Sequence, residues 1–481
     1  MRILENLEPA RVFYYFEEIS KIPHGSGNTK EISDYLVEFA KKHSLKYIQD
    51  DINNVIIFKE ASEGYEDRGA VIIQGHMDMV SIKEDWCALD LKKDALELYI
   101  DGDWVSAKGT TLGADNGVAV AYVLALLESD EYKHPKLEII ITVEEEVGMD
   151  GAKLIDVSML EGKKFINIDS GEEGTILTSC AGGGRFRAKL SLNRGKRDGV
   201  LVDISISGLQ GGHSGVEIDK GRANACYEII RMLYIFTKKI DMSLLEANGG
   251  GVDNVIPSNA TISVVIKKED LGLLEAEVNA FHKLLQNEYC GKEDGILISF
   301  ETRGESQYAV VNDEDIDKMC SLVLNLPNGV QSMSGTISGL VETSLNLGIM
   351  KIDESGICID YAVRSSVESK KIELVEKMTL LTKLYGGEVE TKSFYPAWQY
   401  RQDSQLRDDF VKAYKENLGV EPEIEAVHAG LECGFFAGKI ADLDCISYGP
   451  DLEEIHSTNE KMCISSTQRM WKILLKVLEI C

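Results

Sequence analysis

The sequence predicts an α/β fold in which helices flank a mostly parallel sheet, with an α+β domain inserted into the chain. Apolar, β-rich runs at 70–73 and 137–143 are separated by helical patterns such as 118–127. Strands of a parallel sheet are buried on both faces and therefore read as nearly continuous apolar runs. In such open sheets, ligands bind beyond the carboxyl ends of the strands, which is where functional residues are expected.

The pattern changes near Gly184, and the chain is too long for one hydrophobic core. A chain of 481 residues is expected to form two or more domains. After Gly184, several runs alternate apolar and polar residues with period two, with helical stretches among them. We therefore expect residues 1–184 and 396–481 to form one domain, and residues 185–395 to form the inserted α+β domain.

Composition excludes several classes of partner. The formal net charge is −29, and such a surface repels phosphate backbones and anionic lipids, so we expect no nucleic-acid and no membrane partner. No apolar run approaches the roughly 20 residues that a membrane-spanning helix needs. The ten cysteines include no Cys-x-x-Cys pair, which is typical of reduced thiols in a cytoplasmic protein.

Polar side chains follow the apolar run at 70–73, at the end of the predicted strand 70–74. His76 and Asp78 are two residues apart, so they lie on one face of an extended chain. A histidine that binds a metal is commonly oriented by a carboxylate behind it, and this pair suits that arrangement. Taken alone, the pair is equally compatible with a buried histidine beside a surface aspartate.

Further acidic sites follow at similar positions. Asp115 lies in a glycine-bounded turn before a helix, Glu144–Glu146 follow the run at 137–143, and Asp169 follows a short strand. A helix cap would also explain Asp115, and a solvated charged surface would also explain the glutamates. Several carboxylates with a histidine suit zinc, manganese or cobalt, and two ions better than one. A structural zinc site is disfavoured because the sequence has no cysteine-rich motif.

The glutamate triplet can supply both a metal ligand and a general base. A hydrolytic two-metal site needs one carboxylate on a metal and another free to accept a proton from the bound water. Adjacent strand residues point to opposite faces, so the three carboxylates cannot all address one ion while the strand continues. Spacing alone does not decide which glutamate binds the metal and which accepts the proton.

Together these motifs resemble the dinuclear zinc peptidases of the M20 group, which include aminoacylases, carboxypeptidases and dipeptidases. The motifs occur in order along nearly the whole chain: His76-x-Asp78, Gly113–Gly117, Glu145-Glu146-x-Gly148, Asp169, and Gly449-Pro450 followed by His456-Ser457-Thr458. Four stretches are most similar to the aminoacyl-histidine dipeptidases, also called cytosolic non-specific dipeptidases: Gly75–Val80, Thr110–Gly117, Gly211–Gly215 and His428–Gly434.

The resemblance implies a set of metal ligands. Asp115 would bridge two zinc ions, with His76 and Asp169 on one ion and Glu146 and His456 on the other. Cobalt or manganese could take the place of zinc. The resemblance also implies a cis peptide bond after Asp115.

The same resemblance implies catalytic roles. Glu145 would be the general base, because the Glu-Glu-x-Gly pattern of the family aligns on Gly148, and Asp78 would orient the metal-binding histidine. His213 would stabilise the oxyanion. A histidine in a plain glycine-rich turn is the alternative for His213.

The inserted domain would be the lid or dimerisation domain of the family, so we expect a homodimer through it. Its length of about 210 residues is about twice that of the shorter family lids, so a monomer is the alternative. Asn254 and Arg364 would bind the terminal carboxylate of the substrate, since a guanidinium can hold a carboxylate through two hydrogen bonds. The alternatives are an asparagine in a proline-containing turn and an arginine on a strand surface.

Two more residues are predicted to line the substrate pocket, His428 and Glu432. His428 competes with His456 as a metal ligand, and we prefer His456 because its sequence context is that of the family. Carboxylates near the metals would favour a cationic α-amine, and Glu172, Glu173 and Glu432 are candidates for that contact.

We therefore expect a metallodipeptidase that hydrolyses Xaa-His and other unblocked dipeptides, using a zinc-activated water and Glu145 as the base. An N-acyl amino acid deacylase or a tripeptidase on the same scaffold is the alternative within the enzyme class. A catalytically silent metal-binding scaffold protein is the alternative outside it. A complete ligand set with an unligated base argues against the scaffold.

Overall fold

The computed structural model describes residues 2–481, which divide into two compact units. The first unit comprises the chain up to Cys180 together with Tyr400–Ala426 and Leu431–Cys481. The second unit comprises Ala181–Gln399 and Val427–Gly430.

Both units contain helices and strands. In chain order, helices α1–α11 span Ala10–Ile19, Lys30–Lys42, Ala114–Glu128, Asp150–Leu154, Ala225–Thr237, Leu271–Glu288, Asp313–Asn325, Glu368–Leu384, Gln405–Leu418, Cys433–Lys439 and Ile464–Ile480. Strands β1–β21 span Lys46–Gln49, Val55–Lys59, Val71–His76, Leu98–Asp101, Trp104–Ala107, Leu137–Thr142, Lys164–Asn167, Thr175–Cys180, Gly182–Leu190, Arg194–Ser207, Met242–Gly249, Ala260–Ile266, Leu297–Val311, Gly329–Met333, Val341–Asp353, Gly356–Ser365, Glu388–Tyr395, Glu423–Val427, Asp444–Ser447, Leu452–Glu453 and Lys461–Cys463. Short 3-10 helices span Ile218–Lys220 and Lys268–Asp270.

The first unit is built on a sheet with the strand order β1-β2-β6-β3-β7-β19-β8-β18. Its centre is parallel: β3 runs parallel to β6 and to β7, and β19 runs parallel to β7. Strands β3 and β6 are buried along their whole length, as expected for the centre of a parallel sheet. The expected α/β fold class is confirmed.

Helix α3 forms part of the core of the first unit beside this sheet. Its sequence is apolar on all sides, and nearly every one of its residues is buried. Gly75 in β3 permits the close approach of α3: a Cβ atom there would overlap the side chain of Asn116 and lie 2.6 Å from the Cβ of Ala119. The first residues of α3 are therefore held against the end of β3.

A smaller sheet of the first unit has the order β20-β21-β5-β4. The turn between β20 and β21 contains His456, whose backbone adopts a φ of 59°. This turn places a histidine from the end of the sequence near residues from its first third.

The second unit is built on an antiparallel sheet with the order β13-β10-β12-β11-β15-β16-β9-β17, and β14 pairs with β15. Residues 200–207 of β10 alternate between buried and half-buried positions, which is the period-two pattern of a strand with one face on a core. Helix α5 buries an apolar face that includes Ile229, Ile230 and Leu233.

Within residues 2–481, no helix is both long and apolar enough to span a membrane.

Candidate active site

The site is assembled at one edge of the first unit's parallel sheet. Strands β6, β3 and β7 are neighbours and run parallel, so their carboxyl ends meet at the same edge. His76 is the last residue of β3, Glu144–Glu146 follow β6, and Asp169 follows β7. Asp115 joins them from the start of α3.

Asp115 lies between two histidines. Its Oδ1 is 3.2 Å from Nε2 of His76, and its Oδ2 is 3.3 Å from Nε2 of His456. Asp169 Oδ1 lies 3.6 Å from the same nitrogen of His76, and Glu146 lies 3.0 Å from the same nitrogen of His456. The donor atoms therefore form two groups that share one carboxylate. Imidazole nitrogens and carboxylate oxygens at this spacing fit two divalent ions, and ligand atoms of His76, Asp115 and Glu146 all lie within 4.8 Å of one another.

The ionisation of these groups shows a local excess of negative charge. Burial lowers the pKa of His76, but the hydrogen bonds to Asp115, Asp169 and Asp78 have a larger combined effect in the opposite direction. The pKa of the imidazole is therefore raised well above its usual value. Hydrogen bonds to Asp115 and Glu146 raise the pKa of His456 to about 10, and burial raises the pKa of Asp169 to about 6. The carboxylates thus favour positive charge at this point, which bound dications would supply in place of imidazole protons.

Asp78 supports both sides of the site. The Nδ1–H of His76 donates to the backbone carbonyl of Asp78 at 2.9 Å, whereas the carboxylate Oδ1 of Asp78 is 3.6 Å from that nitrogen. The carboxylate accepts hydrogen bonds from the Ser26 hydroxyl at 2.8 Å and from the backbone N–H groups of Glu145 and Glu146 at 3.1 and 3.4 Å. Asp78 therefore orients the histidine through its backbone and the two glutamates through its side chain.

Burial raises the pKa of Glu145 well above its ordinary value, and nearby negative charges on Asp169, Glu432 and Glu146 add to this effect. A carboxylate with a raised pKa is a stronger base than an exposed glutamate, which suits proton transfer near neutral pH. The electrostatics of Glu145 are therefore compatible with the role of general base.

Asn116 was not singled out by the sequence reasoning. Its Oδ1 accepts a hydrogen bond from the backbone N–H of His76 at 3.2 Å, and its Nδ2 donates to the carbonyl of Ile168. It thus connects the ends of β3 and β7, next to Asp115. The Asp115–Asn116 peptide bond is cis.

A buried polar network lies beneath the strand ends. Glu432 is fully buried, and its Oε2 accepts hydrogen bonds from Gln74 Nε2 at 2.5 Å and from the Thr142 hydroxyl at 2.7 Å. Gln74 Oε1 accepts a hydrogen bond from Asn167 Nδ2 at 2.6 Å. Burial raises the pKa of Glu432 to about 8. The sequence did carry a signal for this network. Gln74 and Asn167 are polar residues in otherwise apolar strands, and each lies two residues before a candidate ligand.

Glu173 is already paired. Its carboxylate accepts two hydrogen bonds from the guanidinium of Arg469, each 2.6 Å long. This pairing disfavours Glu173 as a contact for a substrate amine.

The second unit contains the other predicted substrate residues. The Nδ1 of His213 accepts hydrogen bonds from the backbone N–H groups of Gly215 and Val216, both at 3.3 Å. The proton of the neutral ring is therefore on Nε2. Burial and the charge of Arg364 lower the pKa of His213, so the ring is neutral and can donate one hydrogen bond from Nε2.

Arg364 and Asn254 lie in the same unit. Arg364 Nη1 donates to the Tyr395 hydroxyl at 3.2 Å, while its buried Nε has no hydrogen-bond partner within residues 2–481. The backbone carbonyl of Asn254 accepts a hydrogen bond from the N–H of Ser214 at 2.8 Å. Asn254 is therefore held next to the turn that carries His213.

His428 also belongs to the second unit. Its Nε2 is 2.7 Å from the hydroxyl of Ser344. Burial and the nearby Arg364 lower the pKa of His428 to about 3. His428 Nε2 thus already has a partner, whereas His456 Nε2 faces the carboxylates of Asp115 and Glu146 at 3.3 and 3.0 Å, which favours His456 over His428 as a ligand.

Comparison with known proteins agrees with the resemblance seen in the sequence. The model of peptidase family M20/M25/M40 matches residues 72–480. The chain is 35% identical to the cytosol non-specific dipeptidase of Escherichia coli (strain K12) over 481 residues, which cover 100% of this chain and 99% of that protein. The uncharacterized protein YqjE of Bacillus subtilis is 27% identical over 424 residues, 87% of this chain and 82% of that protein.

Solved structures show the same relationship. The aminoacylhistidine dipeptidase of Vibrio alginolyticus has a TM-score of 0.94 and 34% identity, with 99% of this chain and 98% of that chain covered. The aminopeptidase PepT of Bacillus cereus, with a TM-score of 0.55, 16% identity and 98% of each chain covered, shares the fold. The family match over residues 72–480 and the full-length relative together show that this chain belongs to peptidase family M20/M25/M40.

Proposed function

We propose that this chain is a metallodipeptidase that hydrolyses unblocked dipeptides, Xaa-His among them. The observation that carries the proposal is the position of Asp115, whose two oxygens face His76 and His456 separately, with Glu145 in the adjacent turn. Relatives named as dipeptidases over the full chain length support the substrate class.

Two zinc ions are the proposed cofactor. Asp115 would be shared, with His76 and Asp169 on one side and Glu146 and His456 on the other. Cobalt or manganese would suit the same donors. When bound, a pair of such ions supplies an acidified water and a polarised carbonyl.

The protein's own residues would carry the proton. Glu145 would accept a proton from the attacking water and pass it to the leaving amine. Its backbone N–H donates to the Asp78 carboxylate, so the main chain that carries the base would keep its position. Asp78 is thus proposed to position Glu145 as well as His76.

The second unit would supply recognition of the substrate. His213, neutral and protonated on Nε2, would donate a hydrogen bond to the oxyanion. Arg364 and Asn254 would bind the terminal carboxylate, and the unpartnered Nε of Arg364 leaves donor capacity for it. His428 would contribute to the same pocket. Burial of Glu432 favours a supporting role beneath the strand ends over direct contact with the substrate amine.

We also propose that the chain forms a homodimer through the second unit. A monomer is the alternative, and light scattering on the purified protein distinguishes the two oligomeric states. The cytosolic relative supports a cytoplasmic location.

A substrate panel with metal analysis tests the function. We expect cleavage of dipeptides, with little activity on tripeptides and N-acetyl amino acids, by protein that contains two metal ions per chain. Preferred cleavage of N-acetyl amino acids would indicate a deacylase, and preferred cleavage of tripeptides would indicate a tripeptidase. Metal binding without activity on any of the three would indicate a scaffold protein.

A further inference from the structure

Glu460 makes a set of hydrogen bonds that the proposed mechanism does not use. It is buried, with 3% of its surface exposed. Its Oε2 accepts hydrogen bonds from the backbone N–H groups of Leu112 and Gly113 at 2.7 and 3.0 Å, and its Oε1 accepts them from Ala114 and Asp115 at 2.8 and 3.3 Å. One side chain thus binds four consecutive N–H groups.

These N–H groups precede and open α3. The first N–H groups of a helix lack partners within the helix and need an outside acceptor. The N-cap residue Gly113 provides no side-chain cap, and Asp115 and Asn116 have non-helical backbone angles. The acceptor instead comes from a residue 345 positions later in the chain. Hydrogen bonds to an ionised group are about twice as strong as neutral ones, so this carboxylate holds the segment that presents Asp115.

Glu460 also belongs to the turn that presents His456. Its own N–H donates to the carbonyl of Ser457 at 3.2 Å, which closes the turn behind the histidine. The His456 side chain is 46% exposed, so packing alone restrains it weakly. The position of His456 relative to Asp115 therefore depends on how this turn is attached to the start of α3.

We propose that Glu460 is a positioning residue that attaches the turn bearing His456 to the segment bearing Asp115 and so sets the geometry of one metal site. The proposal rests on the proposed function, because it concerns the metal centre described there. Glu460 contacts neither the substrate nor a metal in this proposal, and it acts through the two ligands.

Glu138 provides a matched control. It is a fully buried glutamate of β6 in the same unit, and its carboxylate also accepts backbone hydrogen bonds, from Glu161 at 3.0 Å and from Gly162 at 3.0 Å. Neither partner is a candidate ligand or base. Substitution of Glu138 therefore removes buried carboxylate–backbone bonds without touching the attachment between the two ligand segments.

The experiment compares Glu460→Gln with Glu138→Gln in the full-length protein. Glutamine replaces one acceptor oxygen by an NH2 group, which cannot accept hydrogen bonds from two of the N–H groups. Outer partners of metal ligands typically contribute 10–100-fold to metal affinity or activity. For Glu460→Gln we expect the Kd of one of two zinc ions, measured by competition with a chelator, to rise about 10–100-fold. We expect kcat to fall by a similar factor while KM changes little. Glu138→Gln should lower the unfolding temperature but retain parental zinc affinity and kcat.

If Glu460→Gln does not fold, Glu460→Asp provides a second variant, since it keeps the charge and shortens the side chain. We expect it to lose zinc affinity and kcat as well, but by a smaller factor. Two results would overturn the inference: parental zinc affinity in either folded Glu460 variant, or a loss of zinc affinity in Glu138→Gln equal to that in Glu460→Gln. The metal centre itself would still be supported if the parent protein bound two zinc ions. A parent protein that binds no zinc pair would overturn the proposed metal centre itself.

Discussion

The carboxylate of Asp78 accepts a hydrogen bond from the backbone N–H of Glu145, with Oδ1 and N 3.1 Å apart. Asp78 also accepts the Nδ1–H of His76 through its backbone carbonyl. One residue thus orients a candidate metal ligand and the candidate base by different atoms. Substitution of its side chain should affect Glu145 more than His76.

We therefore expect Asp78→Ala to lower kcat about 10–100-fold, the range typical of residues that hydrogen-bond to the groups of a metal site, with a smaller effect on zinc content. Asp78→Asn keeps an oxygen for the Glu145 N–H and should lose less. Steady-state kinetics and metal analysis of both variants measure the two effects. Equal losses of kcat in both variants would show that the hydrogen bond from the Glu145 N–H to the Asp78 side chain does not contribute to kcat.

The role of Glu145 itself is tested by Glu145→Gln. The amide cannot accept the proton of the attacking water, so we expect kcat to fall about 10²–10⁴-fold, the usual contribution of general acid–base catalysis. Zinc stoichiometry should stay at the parental value, because Glu145 is not one of the proposed ligands. Substantial turnover by a fully metallated variant would exclude Glu145 as the base.

His428 should make stability depend on pH. Its pKa is about 3 in the folded protein, against an ordinary 6.5, so below pH 6.5 the unfolded chain binds more protons than the folded one. The stabilisation is thus present above pH 6.5 and is lost as pH falls towards 3. The loss between pH 7 and pH 5 should be about 2 kcal/mol from this residue.

Chemical unfolding of the parent and of His428→Gln at both pH values measures this effect. The free energy of unfolding of the parent should fall by about 2 kcal/mol more than that of the variant. The difference between the two proteins removes the contribution of all other titrating groups. An equal fall in both would mean that the buried imidazole is not held neutral.

The family and the fold class were predictable from the sequence and are confirmed. The fully buried strands β3 and β6 read as apolar runs because both faces are covered. The proximity of His76 and Asp169 was predictable, because both follow such runs and a parallel sheet gathers the carboxyl ends of its strands at one edge.

Contacts between distant segments were not predictable. Glu460 and Asp115 are 345 residues apart, and no periodicity or spacing connects them. Glu173 looked available for a substrate amine, but only the folded chain brings Arg469 to its carboxylate. The membership of His428 in the second unit also depends on tertiary structure, since its motif stands between β18 and α10 of the first.

Recognition of the substrate carboxylate is the last property to test. Arg364 has a buried Nε without a hydrogen-bond partner in residues 2–481, and its Nη1 donates to the Tyr395 hydroxyl, so the guanidinium has donor capacity left for an anion. A hydrogen bond to a charged group contributes about 1.5–3 kcal/mol. We therefore expect Arg364→Ala to lower kcat/KM for dipeptides about 10–100-fold.

Dipeptide amides, which lack the carboxylate, provide the substrate control. They should be poor substrates of the parent protein, and Arg364→Ala should affect them little further. Arg303, exposed on β13 and paired with Asp203 at 2.7 Å, provides the protein control: Arg303→Ala should keep parental kcat/KM. If the parent cleaves dipeptides and their amides equally well, the carboxylate is not recognised, because loss of the anion would then cost no transition-state binding. Selectivity for dipeptides would in that case have to come from another part of the protein than Arg364.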